Sequence, residues 1–333
     1  MPKIRRRRQR KDYRVADAAK KNPENETEEI VVTEDVEEMD DLDDDDMDNA
    51  EPPANATNDT ASDSLTEDKI EAGIDSEEDL LDGIPEAKRL MAVMLDDDAE
   101  HVVVFGNSSL NIMYDTMARC WMFGTLGHMP WCKLDEVKWL CPCPGYDRHF
   151  GVTEAFGIKM IPVAMNEDGP DMDEVERLVA EDASIKGIWC VPKYSNPSGA
   201  TYSDEVVRRL AGMPCAADDF RIFWDNAYGI HHLSDDAAQQ DQLLDIRRAC
   251  DDAGNPDRCF KFASTSKVTF PGAGISALAA SPANIAEIKK RVGVQTIGHD
   301  KLNQLRHARF LEEGARLPEH MAAHGALMKP KFD

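Results

Sequence analysis

From about residue 100 onward the chain alternates short, almost wholly apolar, β-prone runs with stretches of helical period, and few architectures accept that alternation. The runs are 101–105, 137–140, 158–163, 185–191, 220–224, 259–263 and 275–280. Between them, 109–121, 171–181, 203–211, 239–253 and 282–291 carry amphipathic helix patterns. A strand that is apolar on both of its faces must be covered on both. The pattern therefore predicts an α/β layer sandwich, with a mostly parallel sheet of about seven strands between helices. The segment 300–327 has helical period and no strand signal, and reads as one long helix interrupted near Pro318. No internal repeat is present.

Charge confines this fold to one part of the chain. Residues 1–22 hold ten Lys or Arg against two Asp, a net +8. Residues 24–82 hold 26 acidic residues and one Lys, a net −25, so about −9 of the whole-chain −26 is left for Gly83 onward. Tyr13 is the only aromatic residue before Phe105. A segment so charged and so poor in apolar groups cannot offset its ordering entropy. Residues 1–80 are accordingly expected to form a disordered tail, basic over 1–22 and acidic over 24–82, and 83–333 to form the folded domain.

No apolar stretch is long enough to span a bilayer, and none follows the basic start to make a signal peptide. The eight cysteines are scattered through strand-like and helix-like segments with no C-x-x-C pair, which predicts reduced, buried thiols in a cytoplasmic protein. Cys141-Pro142-Cys143 has no second pair of ligands and makes a poor tetrahedral metal site, so no metal is expected.

In open α/β sheets ligands gather at the carboxyl ends of the strands. Ser108 and Ser109 open the helix after the first strand, and serve either as an ordinary cap or as an anion seat on free N–H groups. Tyr146 stands in a Pro-Gly turn after the second strand, placed either in the rim or over a planar ligand. Asn196 lies in Asn-Pro-Ser-Gly, by itself a good turn. Asp225 closes a buried apolar strand, where a carboxylate needs a cation or several donors. Ser264 and Lys267 close the sixth strand before a Gly-rich turn. A lysine buried there has its ammonium form disfavoured, which suits imine chemistry.

Taken in order, Ser-Ser, Pro-Gly-Tyr, Asn-Pro-Ser-Gly, Asp-Asn-Ala-Tyr and Ser-Thr-Ser-Lys resemble the fold-type I pyridoxal-phosphate (PLP) aminotransferases. Residues 141–157, 166–174 and 224–229 are similar to the bacterial aspartate-aminotransferase-like subgroup, grouped with MocR-type aminotransferase domains. The likeness covers about 83–333, the large, cofactor-binding domain.

The resemblance implies transamination between an amino acid and a 2-oxo acid, with aspartate and 2-oxoglutarate as the pair. Lys267 would hold PLP as a Schiff base and move the substrate proton. Asp225 would pair with the ring nitrogen, Asn196 and Tyr228 with the ring oxygen, and Tyr146 with the ring face. Ser108, Ser109 and Ser264 would take the phosphate. A homodimer is implied as well. The family's phosphate-gripping Arg after Pro-Gly is replaced here by Pro271-Gly272-Ala273-Gly274-Ile275. The N-terminal arm and the C-terminal small domain with its carboxylate-binding Arg are expected to be missing, which predicts cofactor binding with poor turnover.

Two other classes stay open. One is a regulatory or non-catalytic PLP- or ligand-binding module. Arg5-Arg6-Arg7-Arg8 suits nucleic acid, but the acidic run would repel it and no helix-turn-helix precedes residue 83, so nucleic acid is not the expected partner. The other is an inactive gene fragment, with tail and domain joined near Asp82.

Overall fold

The computed structural model describes residues 81–234 and 236–331. The expected tail of residues 1–80 lies outside the described residues. The central apolar runs form strands that are covered on both faces. β5 (Ile185–Cys190), β6 (Arg221–Asp225) and β7 (Cys259–Ser264) are buried at every residue. With β1 (Val102–Phe105), β2 (Lys138–Cys143), β3 (Lys159–Asn166), β4 (Gly169–Pro170) and β8 (Ser276–Ala279) they make one sheet, in the order β1-β8-β7-β6-β5-β2-β3-β4. β7, β6, β5, β2 and β3 are mutually parallel, β8 runs antiparallel to both β1 and β7, and β4 runs antiparallel to β3.

All seven expected strands form. The eighth, β4, has two residues, too few to show a period in sequence.

The helices are α1 (Pro85–Leu95), α2 (Ser109–Phe123), α3 (Asp147–Ala155), α4 (Met172–Glu181), α5 (Asp204–Gly212), α6 (Ile246–Asp252), α7 (Pro282–Gln295), α8 (Lys301–Phe310) and α9 (Leu317–Met328). On one sheet face, Ile112, Met113 and Met117 of α2 and Ile285, Ile288 and Val292 of α7 pack on Trp139, Trp189, Phe223 and Phe262. On the other, Val175 and Val179 of α4 and Val206 and Leu210 of α5 pack on Leu140, Ile188, Ile222 and Trp224. Leu90, Met91 and Leu95 of α1 form a third cluster with Val102, Val104, Ala277, Leu311, Leu317 and Met321. Phe223 and Trp224 fall in different clusters because successive strand residues face opposite sides.

Three expectations are corrected. The helix expected over 239–253 is only α6. Asp245 caps it by accepting from Arg247 N, and residues 240–245 before it are not helical. The long helix expected over 300–327 is two helices, broken at 311–316 where Glu313 (φ 54°) and Gly314 (φ 103°) take left-handed backbone. Pro318 does not break it; it sits in the first turn of α9, where its missing N–H leaves no bond unmade. The thiols are also less uniform than expected: all eight cysteines are free, but Cys132 and Cys143 are exposed. Helices α1 and α3 had no separate expectation. Among the described residues no helix is long and apolar enough to cross a membrane.

Candidate active site

Register brings the motifs to one edge. Phe105 and Ser264 both pair with Ser276, and Asp225 pairs with Phe262, so the ends of β1, β7 and β6 and the start of β8 stand in a row. Gly106 O accepts from Ser276 Oγ (2.7 Å), Asn107 O from Ser266 Oγ (3.0 Å), and Gly272 O from Asn107 Nδ2 (2.8 Å). The loop before α2 is thus tied to the loop after β7.

Asp225 is the last residue of β6 and points to the same face as Phe223. It is buried, and its Oδ2 accepts from His149 Nε2 at 3.0 Å. Its Oδ1 is also buried and has no hydrogen-bond partner among the described residues. A buried acceptor left bare costs on the order of 1–3 kcal/mol, so this oxygen is placed for a donor from outside the chain.

His149 is fixed on three sides. Its ring stacks on Trp189 (centroids 4.5 Å, planes 13° apart), Trp189 Nε1 donates to Thr153 Oγ1 (2.8 Å), and Thr153 Oγ1 donates to His149 O (3.1 Å). Sequence reasoning missed His149 as a site residue. The available signal was its place three residues after Tyr146 at the opening of α3, a spacing that puts the two on one helix face. Tyr146 does lie edge-on to the His149 ring, at 5.1 Å.

Asn196 and Tyr228, 32 residues apart, meet across the site: Asn196 Nδ2 lies 3.5 Å from the Tyr228 hydroxyl. Burial pushes the Tyr228 phenol up, and the Asn196 amide pulls it back down. Lys267 Nζ sits 4.6 Å from the centroid of the Tyr228 ring, within cation–π range.

The expectation that Lys267 is buried is corrected. β7 ends at Ser264, the single turn Thr265–Lys267 swings the side chain out, and Lys267 is exposed.

Ser108 adopts extended backbone before α2 and its hydroxyl makes no capping bond. Ser109 and Ser264 are buried at the same edge. In the turn that lacks the Arg, Thr265 Oγ1 accepts from Ile275 N (2.9 Å), and a Cβ on Gly274 would come within 2.4 Å of that oxygen. Only glycine lets this turn close on the lysine turn.

His231 was also missed. Its Nε2 lies 3.3 Å from Lys267 O, and burial lowers the imidazole to about 4. Elsewhere, among the described residues, Asp97, Asp98 and His101 approach ligand spacing. Asp97 is held there by Arg247 (2.8 Å) and Lys261 (3.4 Å), so the group is a salt-bridge network.

An edge with a bare buried carboxylate oxygen, a paired amide and phenol, an amine and a run of serines can hold a planar cationic ring bearing an anion. Comparisons with known proteins bear on the family. A family model described as aspartate amino-transferase matches residues 50–333. A putative aminotransferase of Mycolicibacterium smegmatis is 50% identical over 251 residues, covering 75% of this chain and 58% of that protein. An aspartate aminotransferase of Corynebacterium glutamicum is 45% identical over 254 residues, covering 76% of this chain and 58% of that protein. The crystal structure of an aspartate transaminase from Corynebacterium glutamicum superposes with a TM-score of 0.72 at 45% identity, covering 76% of this chain and 59% of that one. The chain thus spans 58% of the length of the two curated relatives.

Proposed function

The chain belongs to the aspartate amino-transferase family, and on that premise we propose that it binds pyridoxal phosphate at this edge and uses it to exchange amino groups between amino acids and 2-oxo acids. The observation that carries the reading is the buried, partnerless Oδ1 of Asp225 beside a fixed His149. A neutral ligand atom would leave that charge uncompensated; a protonated ring nitrogen supplies both the hydrogen and the positive charge.

When bound, the cofactor supplies an electron sink next to the substrate's α-carbon. The chain's residues would do the rest. Asp225, steadied by His149, keeps the ring nitrogen protonated. Asn196 and Tyr228 donate to the ring oxygen. Tyr146 covers the ring face. Ser108, Ser109 and Ser264 hold the phosphate with the free N–H groups that open α2, in place of the Arg absent from 271–275. Lys267 would hold the cofactor at its aldehyde carbon and, as a free amine, would move a proton on and off the substrate's α-carbon. Lys267 is exposed and has no carboxylate partner among the described residues, which leaves the amine free to swing. Aspartate with 2-oxoglutarate is the substrate pair the subgroup suggests, in a cytoplasmic homodimer.

The test is to add pyridoxal phosphate to the full chain and scan for a visible absorbance band. The expected result is a band that Lys267→Ala abolishes. A band of equal strength in that variant sinks the assignment of Lys267.

A further inference from the structure

The turn that carries Lys267 is short, and two of its carbonyls have no use within it. Inside the turn, Val268 N and Thr269 N both donate to Thr265 O, at 2.9 and 2.8 Å. The carbonyls of Lys267 and Val268 are taken by imidazoles from distant segments. His231 Nε2 lies 3.3 Å from Lys267 O, and His320 Nε2, from α9, lies 2.8 Å from Val268 O. A carbonyl only accepts, so each histidine carries its proton on Nε2.

The two histidines are not equivalent. His320 touches the lysine turn and, beyond it, the rings of Phe310 and His324. His231 touches the lysine turn and the tyrosine turn together. Its backbone N donates to Tyr228 O (2.9 Å), and its ring stands edge-on to the Tyr228 ring (centroids 5.8 Å, planes 77° apart). One residue therefore fixes the distance between the turn bearing the amine and the ring over which that amine sits, 4.6 Å away. Its Nδ1 is buried with no partner among the described residues, so the ring has no second hydrogen bond there to exchange for the first.

We propose that His231 is a positioning residue for Lys267: donation from its Nε2 to the Lys267 carbonyl sets the lysine turn in register with Tyr228, and so sets where the amine meets the cofactor. The last clause rests on the reading of Lys267 as the cofactor-holding lysine; the clamp itself does not. The exposed amine has no hydrogen-bond partner of its own among the described residues, so the point from which it swings is set by its backbone. That makes the carbonyl bond the control point.

The experiment uses the full chain and separates donation from packing. His231→Phe keeps a ring against Tyr228 and loses the donor. His231→Gln keeps a donor of similar reach and loses the ring. His320→Leu removes the neighbouring donor. Without cofactor, amide hydrogen exchange at Val268 and Thr269 is expected to quicken about fivefold in His231→Phe, the factor one ordinary hydrogen bond is worth, and to stay near the parent rate in His231→Gln. With pyridoxal phosphate added, the pH midpoint of the Lys267-dependent band is expected to move in His231→Phe, to return in His231→Gln, and to stay put in His320→Leu.

Unchanged exchange in His231→Phe overturns the clamp. Equal change in the Phe and Gln variants overturns donation as its cause. A midpoint shift in His320→Leu equal to that in His231→Phe overturns the special role of His231. Should His231→Phe fail to fold, His231→Asn, whose amide is too short to reach, takes its place against His231→Gln. If no Lys267-dependent band forms in the parent, the cofactor reading fails while the exchange rates still decide the clamp.

Discussion

The two ends of the candidate site are built in opposite ways. At the Asp225 end every group is buried and tied: the carboxylate to His149, His149 to Trp189, Trp189 to Thr153. At the Lys267 end the side chain is exposed, rests on a ring face and is steered through its backbone. On the proposed function the difference matches what each end would do. A carboxylate that holds a charged ring nitrogen gains strength from a dry, rigid setting. An amine that must form a bond and release it gains from freedom. The sheet supplies the first setting, since β6 is covered on both faces; a single turn beyond β7 supplies the second.

Several substitutions sharpen or break this contrast. The largest effect is expected at the free end. Borohydride reduction of the cofactor-loaded chain, followed by peptide mass analysis, is expected to place all stable label on Lys267 and none anywhere in Lys267→Ala. At the tied end, Trp189→Ala removes the ring under His149 and is expected to cost about 3–5 kcal/mol of stability, read by denaturant unfolding. A loss below about 1 kcal/mol would mean that end is not rigidly packed.

Asp225→Asn should divide function from stability. The amide still accepts from His149 but removes a buried charge with one bare oxygen. Cofactor affinity is expected to fall about tenfold to a hundredfold, the value of a charge-assisted hydrogen bond, while the thermal midpoint of the cofactor-free chain holds or rises. A fall in both would show that the carboxylate is structural.

The smallest effect is one of pH. Burial lowers His231 to about 4, below its ordinary 6.5. Between those values the unfolded chain binds more protons at this position than the folded one, so stability rises with pH in that window. Unfolding followed from pH 7 down toward 4 is expected to show stability declining, with a shallower slope in His231→Gln. Equal slopes would show that His231 is not buried enough to matter.

Much of this arrangement was legible in the sequence, for a physical reason. Strands buried on both faces leave continuous apolar runs, and the residue after each run is the residue at the sheet edge. That is why Asp225, Ser264 and Lys267 could be placed there; that Asn196 and Tyr228 serve one ring oxygen was implied only by the family resemblance. His149 could not be found the same way. Its partner Asp225 is 76 residues away, and its own position looks like part of a turn. The burial of Lys267 was expected too strongly, because an apolar strand says nothing about what covers the turn beyond it. The break at 311–316 was assigned to Pro318, although a proline in a first helical turn costs nothing; Glu313 and Gly314 carry it.

β8 runs against its neighbours, and the order of assembly follows from that. β1 pairs only with β8, a strand made some 170 residues later, so during synthesis the loop with Ser108 and Ser109 has no sheet to lie on until nearly all of 83–280 has emerged. When β8 enters between β1 and β7, one event brings the serine loop, the lysine turn and the glycine turn together. On the proposed function the anion seat and the amine are therefore joined only once β8 is in place, and a half-made chain would offer an aldehyde nothing more than an isolated lysine.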